Sequence, residues 1–268
     1  MAGVEIQVIN ENIRRLEVPF MDVFTSVYTV KYDGGYILFD TATYRADVDE
    51  YILPMFSELG ITRENLKYIF ISHNHGDHSG GLARLLEYFP GACVVSRSPR
   101  ILEKFPYANI ISPDDNAELC GVFRLVTVIG HSLDSAALYD TRTKTLITGD
   151  GIQLYGLFGS GEWGANIGFP KKHLEELSKL RKMDIESIYA AHDYHPYGYA
   201  YIGKEGVAAA LDASERPLFE IKKLIEDNPA LTDSEIREIY NSSPNHPTVR
   251  EGVIRAVRAE LAEQKTHG

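Results

Sequence analysis

The chain is short of cysteine, short of positive charge and free of long apolar runs, and each shortage closes off a class of protein. Cys93 and Cys120 are the only cysteines in 268 residues, so neither a disulfide framework nor a paired-cysteine metal site is expected. Cys93 lies in the apolar run ACVVS and reads as a buried small hydrophobe. Lysine and arginine number 27 against 38 aspartates and glutamates, a net charge of −11. Affinity for a phosphate backbone needs a positive surface, so no nucleic-acid partner is expected. No apolar stretch approaches the ~20 residues that span a bilayer, so no membrane partner is expected either. The N-terminal MAGVEIQVIN lacks a basic region followed by an apolar core and does not read as a secretory signal. A cytoplasmic protein is the resulting expectation. What remains is an ordinary globular composition, 44% hydrophobic and 24% charged, with material for a sizeable core. Nothing in the sequence decides between a monomer and a homo-oligomer.

The first third of the chain reads as strands and hairpins. VEIQVIN alternates, and VFTSVYTVKY and YILFDTA flank Asp33-Gly34-Gly35, a hairpin turn. Residues 47–60 suit a helix stopped by Gly60 and kinked by Pro54. LKYIFIS (66–72) reads as a strand buried on both faces. A leucine-rich helix closed by Pro90, the strand ACVVS, a short helix over 99–105 and a strand over 122–130 follow. AALYD and TLITGD suggest a second hairpin, and a Gly-rich loop leads to the helix KKHLEELSKLRKM and the strand SIYAAHD. From about residue 205 the pattern turns helical. Thr232 with Glu235, and Thr248 with Glu251, have the spacing of a capping box at a helix start. The expected division is a domain over 1–204 and a helical C-terminal extension over 205–268.

The stretch SHNHGDH places His73, His75, Asp77 and His78 where LKYIFIS ends. Residues two apart on a strand point the same way, so His73 and His75 converge if the extended backbone continues. Asp77 and His78 lie beyond Gly76, which is expected to allow a turn. Two directions from one segment suggest two adjacent ions. His131, Asp150 and His192 each fall at or just past the end of an expected strand, where α/β proteins gather their sites. A simple partition gives His73, His75 and His131 to one ion and Asp77, His78 and His192 to the other. Asp150 bridges them with its two oxygens. Taken singly, a strand-end histidine is usually a hydrogen-bonded or surface residue, and Asp150 after a glycine could merely start a turn. Four such residues within six have little structural reason to occur together. Imidazole with carboxylate suits zinc first, and iron or manganese as well, so the expected cofactors are two divalent metal ions.

HNHGDH matches the His-x-His-x-Asp-His motif of the metallo-β-lactamase fold superfamily of metal-dependent hydrolases. IFISH before it, SGG after it, GHS at 130–132, TGD at 148–150 and AHD at 191–193 fall in that family's order. The resemblance covers roughly residues 20–195. It implies an α/β four-layer fold, an αβ/βα sandwich of two mixed β-sheets flanked by helices, with a dinuclear site at the sheet edge. Carried over by position, the family's ligands are His73, His75, Asp77, His78, His131, Asp150 and His192. Asp40 in LFDTA matches a family aspartate that orients a ligand or loop from outside the metal shell. Most antibiotic-hydrolysing members are exported and lack the bridging aspartate, so that activity is not expected. The di-iron electron-transfer members carry glutamate where this chain has His75. Nuclease members usually add RNA-binding parts that are not seen here. The pattern is nearest to the lactonase and glyoxalase II-like branch, although nothing in the tail identifies a glutathione-binding pattern.

The implied chemistry is attack by a metal-bound hydroxide on a small ester, thioester or lactone, with Asp77 both binding metal and relaying a proton. The alternatives weighed are a phosphodiesterase on the same two ions, a non-catalytic ligand-binding effector and a mononuclear iron dioxygenase. A small-molecule substrate is expected. Residues 151–169 contain six glycines interleaved with aromatics, and Tyr155, Phe158 and Trp163 are expected to wall the substrate pocket. Tyr194 and His195 are candidates for donating to an oxyanion, and packing onto the core is the competing reading for all five. His173 is expected at the surface, and His246 and His267 are given no metal role.

Overall fold

In the computed structural model, residues 5–152, 165–194, 198–243 and 248–267 are described. The chain divides into two compact units: Met1–Thr127 with Ala136–Thr141, and Val128–Ser135 with Arg142–Gly268.

The first unit opens with β1 (Ile6–Val8), β2 (Ile13–Phe20), β3 (Val23–Tyr32) and β4 (Gly35–Phe39), an antiparallel run. The expected hairpin turn is present: Tyr32 pairs with Gly35 across Asp33 and Gly34. Gly35 holds φ 136°, and a Cβ there would lie 2.2 Å from the Asn65 carbonyl oxygen. The chain then forms α1 (Arg45–Asp47), a π-helical turn (Val48–Ile52) and α2 (Leu53–Leu59). The sequence led us to expect a single kinked helix here. A proline ring crowds the carbonyl four residues back, and the wider turn before Pro54 accommodates it, with the Leu53 amide reaching Val48 O. Gly60 ends α2 at φ 67°.

Next come β5 (Leu66–Ile71), α3 (Gly76–Ser79), α4 (Leu82–Tyr88), β6 (Cys93–Ser96), α5 (Pro99–Lys104) and β7 (Ile110–Ile111). Strands β1 to β7 lie in chain order in one sheet, parallel from β4 onward. Ile69, Phe70 and Ile71 are consecutive and all 0% exposed, so both faces of β5 are covered as expected. Ile69 and Ile71 share a core with Leu38, Val48, Ile52, Met55, Leu82, Leu85 and Val94, while Phe70 stacks on Phe39 at 5.1 Å. Each such side chain contributes about 1.5–3 kcal/mol by burial, which makes this sheet end a firm base. Cys93 is only half-buried, not fully as expected: it is the first residue of β6 and close to the sheet margin.

β8 (Glu118–Leu119), β9 (Phe123–Thr127) and β10 (Ala136–Asp140) complete the first unit. β9 stops three residues short of the expected strand, because residues 129 and 130 turn. The second unit holds β11 (Thr145–Ile147), α6 (Pro170–Leu180), β12 (Ser187–Tyr194), β13 (Gly198–Ile202), α7 (Gly203–Asp227), α8 (Asp233–Ser242) and α9 (Glu251–His267). The second sheet runs β13-β12-β11-β10-β9-β8 and is also mixed, with β11 and β12 parallel. The helical tail is present, and Ala165 and Ile167 share a core with α7, α8 and α9. Thr232 and Glu235 form the expected capping box, with the Thr232 amide donating to Glu235 Oε2 at 2.8 Å. Glu251 is the first residue of α9, with Thr248 ahead of it, and the Glu251 carboxylate accepts from Arg255. No helix among the described residues is long and apolar enough to cross a membrane.

Candidate metal centre

The histidine-rich segment leaves the sheet at the end of β5. His73 and His75 precede α3, and His75 keeps extended angles (φ −64°, ψ 152°) while its carbonyl accepts from the His78 and Ser79 amides at 3.1 and 3.0 Å. A strand end followed by one helical turn thus produces the two directions. The glycine expected to make the turn is not the constrained one. Gly76 has no positive φ, and a Cβ there would meet nothing within 4 Å. Gly80 and Gly81 are constrained instead: a Cβ on Gly80 would lie 1.9 Å from Thr43 O, and one on Gly81 2.2 Å from Thr41 O. Their bareness lets residues 41–43 lie directly on α3. The Thr41 amide and hydroxyl both donate to His78 O, at 2.8 and 3.0 Å. The same loop holds Asp40 and Ala42 at φ 62° and 57°, an uncommon region for residues with a side chain.

Asp40 is fully buried and collects three donors. Its Oδ1 accepts from the Ser72 amide at 2.8 Å, and its Oδ2 from the Ser72 hydroxyl at 2.8 Å and from His78 Nδ1 at 2.7 Å. Burial pushes the Asp40 carboxyl up, opposed by His78 and Ser72. With the Asp40 carboxylate ionised it only accepts, and His78 then donates from Nδ1 and turns Nε2 outward. Ser72 gives its hydroxyl proton to Asp40, so it receives one from His73 Nδ1 at 3.1 Å, and His73 is left in the same tautomer. The His73 ring lies 4.6 Å from that of His75 and 4.2 Å from that of His78, centroid to centroid. Asp77 Oδ2 accepts from the Thr25 hydroxyl on β3 at 3.2 Å and stands 3.2 Å from His78 Nε2.

The second unit carries a matching set. His131 lies in the turn after β9, and its Nδ1 donates to Asn166 O at 2.9 Å. That fixes Nε2 as the lone-pair nitrogen, 3.5 Å from Asp150 Oδ2. The other Asp150 oxygen, Oδ1, stands 3.2 Å from His192 Nε2. His192 was expected near a strand end; β12 runs two residues past it, through an irregularity in the ladder between Tyr189 and Tyr194.

These distances test whether the donors suit a metal. In His78 and His131 Nδ1 already donates, so Nε2 is the atom that faces a carboxylate. Either a second ring proton or a cation between the two relieves the contact of lone pairs, and the distances bear on which. Charge-assisted N–H···O bonds run about 2.7–2.9 Å, shorter than any of the three contacts. Ligands about 2.0–2.2 Å from one tetrahedral ion are separated by roughly 3.3–3.6 Å, and the contacts, at 3.2, 3.2 and 3.5 Å, lie closer to that spacing than to a charge-assisted bond. Asp150 satisfies this on both of its oxygens.

Of the expected pocket residues, Tyr155, Phe158 and Trp163 fall in 153–164 and His195 in 195–197, outside the described residues, as does His246. Tyr194 is 0% exposed at the end of β12. His173 is not at the surface. It is 1% exposed, on the α6 face that also buries Pro170, Leu177 and Leu180, and that spacing was the signal for it. Burial pulls its pKa down to about 4, with Ser214 opposing and His131 adding to the shift. Thr25 and Ser72 were missed as well, although both are hydroxyls inside or beside buried strands.

A family model described as the metallo-beta-lactamase superfamily matches residues 21–192. A hydroxyacylglutathione hydrolase of Vibrio campbellii is 30% identical over 152 residues, which are 55% of this chain and 56% of that protein. The match thus spans little more than half of that relative's length. A beta-lactamase-like protein 2 homolog of Caenorhabditis elegans is 25% identical over 238 residues, 84% of this chain and 74% of that one. The crystal structure of a metallo-beta-lactamase family protein from Thermus thermophilus superposes with TM-score 0.66 at 21% identity, covering 97% of this chain and 95% of that one. That likeness is one of fold, and the fold is the expected αβ/βα sandwich with helices at its C-terminal end.

Proposed function

Because the chain belongs to the metallo-beta-lactamase superfamily, we propose that it is a hydrolase that uses a two-ion centre to cleave a small ester, thioester or lactone. The observation that carries the reading is Asp150, whose two oxygens each face the Nε2 of a different histidine, as a bridging carboxylate would. Support comes also from the donors that each unit gathers, His73, His75, Asp77 and His78 in the first and His131, Asp150 and His192 in the second. These seven residues would hold the ions. When bound, the ions would polarise a carbonyl and lower the pKa of water from about 15.7 toward about 7, and zinc, iron or manganese suits the donor set.

The chain's own residues do the rest. Asp40 holds His78, and Ser72 links Asp40 to His73, so two ligands share one buried anchor. Asn166 O sets the tautomer of His131. Thr25 aims the Asp77 carboxylate, which accepts or relays the proton released in hydrolysis. The hydroxyacylglutathione hydrolases among the relatives make an S-acyl glutathione the first substrate to try. The test pairs elemental analysis of protein purified without chelator with a panel of an acyl thioester, a lactone, an aryl ester and an aryl phosphodiester. Expected are two ions per chain, turnover of a carbonyl substrate, and a loss on the order of 100-fold or more in Asp150→Asn. Less than one ion per chain would sink the two-ion reading. Activity on the phosphodiester alone would move the substrate class, and full loading without any turnover would favour a ligand-binding role.

A further inference from the structure

His173 is a buried histidine with no place in the chemistry above. Its Nε2 lies 2.9 Å from the Oγ of Ser214, a residue of α7 that is itself 0% exposed. Its Nδ1 is buried without a hydrogen-bond partner. An apolar side chain would fill the position without that unsatisfied nitrogen, so the imidazole needs a reason. The ring is seated on the backbone of Gly130: a Cβ there would lie 2.2 Å from His173 Nδ1 and 2.8 Å from its Cγ. Gly130 is the residue before His131.

Three further bonds close the arrangement. Gly130 O accepts from the Phe169 amide at 2.9 Å, and Phe169 O accepts from the His173 amide at 2.9 Å. His131 Nδ1 donates to Asn166 O at 2.9 Å. The segment 166–173 therefore grips the 130–131 turn by backbone, ring and carbonyl together. The tail helices hold that segment in turn. Ala165 bridges to Val249 and shares a core with α7 and α9, and Glu260 on α9 accepts from the Lys171 amide at 2.7 Å.

We propose that His173, pinned by Ser214, is a positioning residue that sets the Gly130–His131 turn and makes the C-terminal helices part of the metal-binding machinery. The proposal rests on the reading of His131 as a ligand. It assigns the tail a task at the site rather than that of a cover.

The test compares Ser214→Ala, His173→Leu and the conservative His173→Gln, each checked for folding by circular dichroism. In metal-free protein, the imidazole 15N shifts of His131 report its tautomer. Wild type is expected to show a single Nδ1–H form, and Ser214→Ala and His173→Leu a mixture. Zinc affinity by chelator competition should fall about 10-fold or more in both, with altered visible bands of the cobalt-substituted protein. His173→Gln, whose amide can still meet Ser214, should recover most of each. Unchanged His131 shifts and zinc affinity in Ser214→Ala and His173→Leu would overturn the proposal, as would a loss confined to melting temperature. If wild type bound fewer than two ions, the two-ion reading would fail, while the His131 tautomer in metal-free protein would still decide this inference.

Discussion

At Gly80 a methyl group would meet the Thr43 carbonyl oxygen at 1.9 Å, whereas at Gly76 it would meet nothing within 4 Å. Gly76→Ala should therefore be neutral or stabilising, by up to about 1 kcal/mol through the unfolded chain, with metal content unchanged. Gly80→Ala must push the 41–43 loop off α3 and should cost about 2 kcal/mol or more in urea unfolding, with metal loading falling alongside. The ranking is opposite to the one SHNHGDH suggests by itself, because a glycine's need is set by what stands across from it. Asp40 is a second case. Asp40→Asn keeps the shape but loses an acceptor that serves both His78 and Ser72, so zinc affinity by chelator competition should fall about 10–100-fold. The candidate ligands were legible because histidine and aspartate in that density announce chemistry. Thr25 and Asn166 were not, since a hydroxyl is common in strands and Asn166 acts through its backbone carbonyl, which any residue would offer.

Elements were legible where a period or a turn signal was strong. β5 is an apolar run with no competing pattern, and the β3–β4 hairpin follows from Asp33-Gly34. Edges were less so. A proline inside a helical pattern does not say whether the chain kinks, stops or widens, and here it widens over Val48–Ile52. Of two identical capping spacings, the one at Thr232 opens α8, because the chain is extended at Thr232 and helical after it, whereas α9 begins at Glu251 itself. At Thr232 both bonds exist, so Thr232→Ala should cost about 0.5–2 kcal/mol. Thermal unfolding measures this, and the same change at Thr248, which lies outside α9, should leave α9 intact. An equal loss of helical signal from both variants would contradict the assignment of the α9 start.

For the whole molecule, a charge of −11 with seven proposed ligands that include two aspartates favours cations over anionic partners. Acid is the condition that separates structural histidines from proposed ligands. Metal binding needs neutral imidazoles and is lost as pH falls, but in metal-free protein that linkage is absent. His173 then stands out. Its folded pKa is down at about 4 because burial disfavours the charged ring, against 6.5 for an unhindered one. Between those values the unfolded chain binds the proton and the folded chain does not. Stability from this group is therefore complete above about pH 6.5 and is lost progressively as pH falls toward about 4. Replacing the residue removes the linkage. In metal-free protein, the drop in unfolding free energy from about pH 7.5 to about pH 4.5 should be smaller in His173→Gln than in wild type, even if the variant starts out less stable. Equal drops in the two proteins would mean that His173 takes up its proton without unfolding, and that the packing against Gly130 and Ser214 yields to the charge.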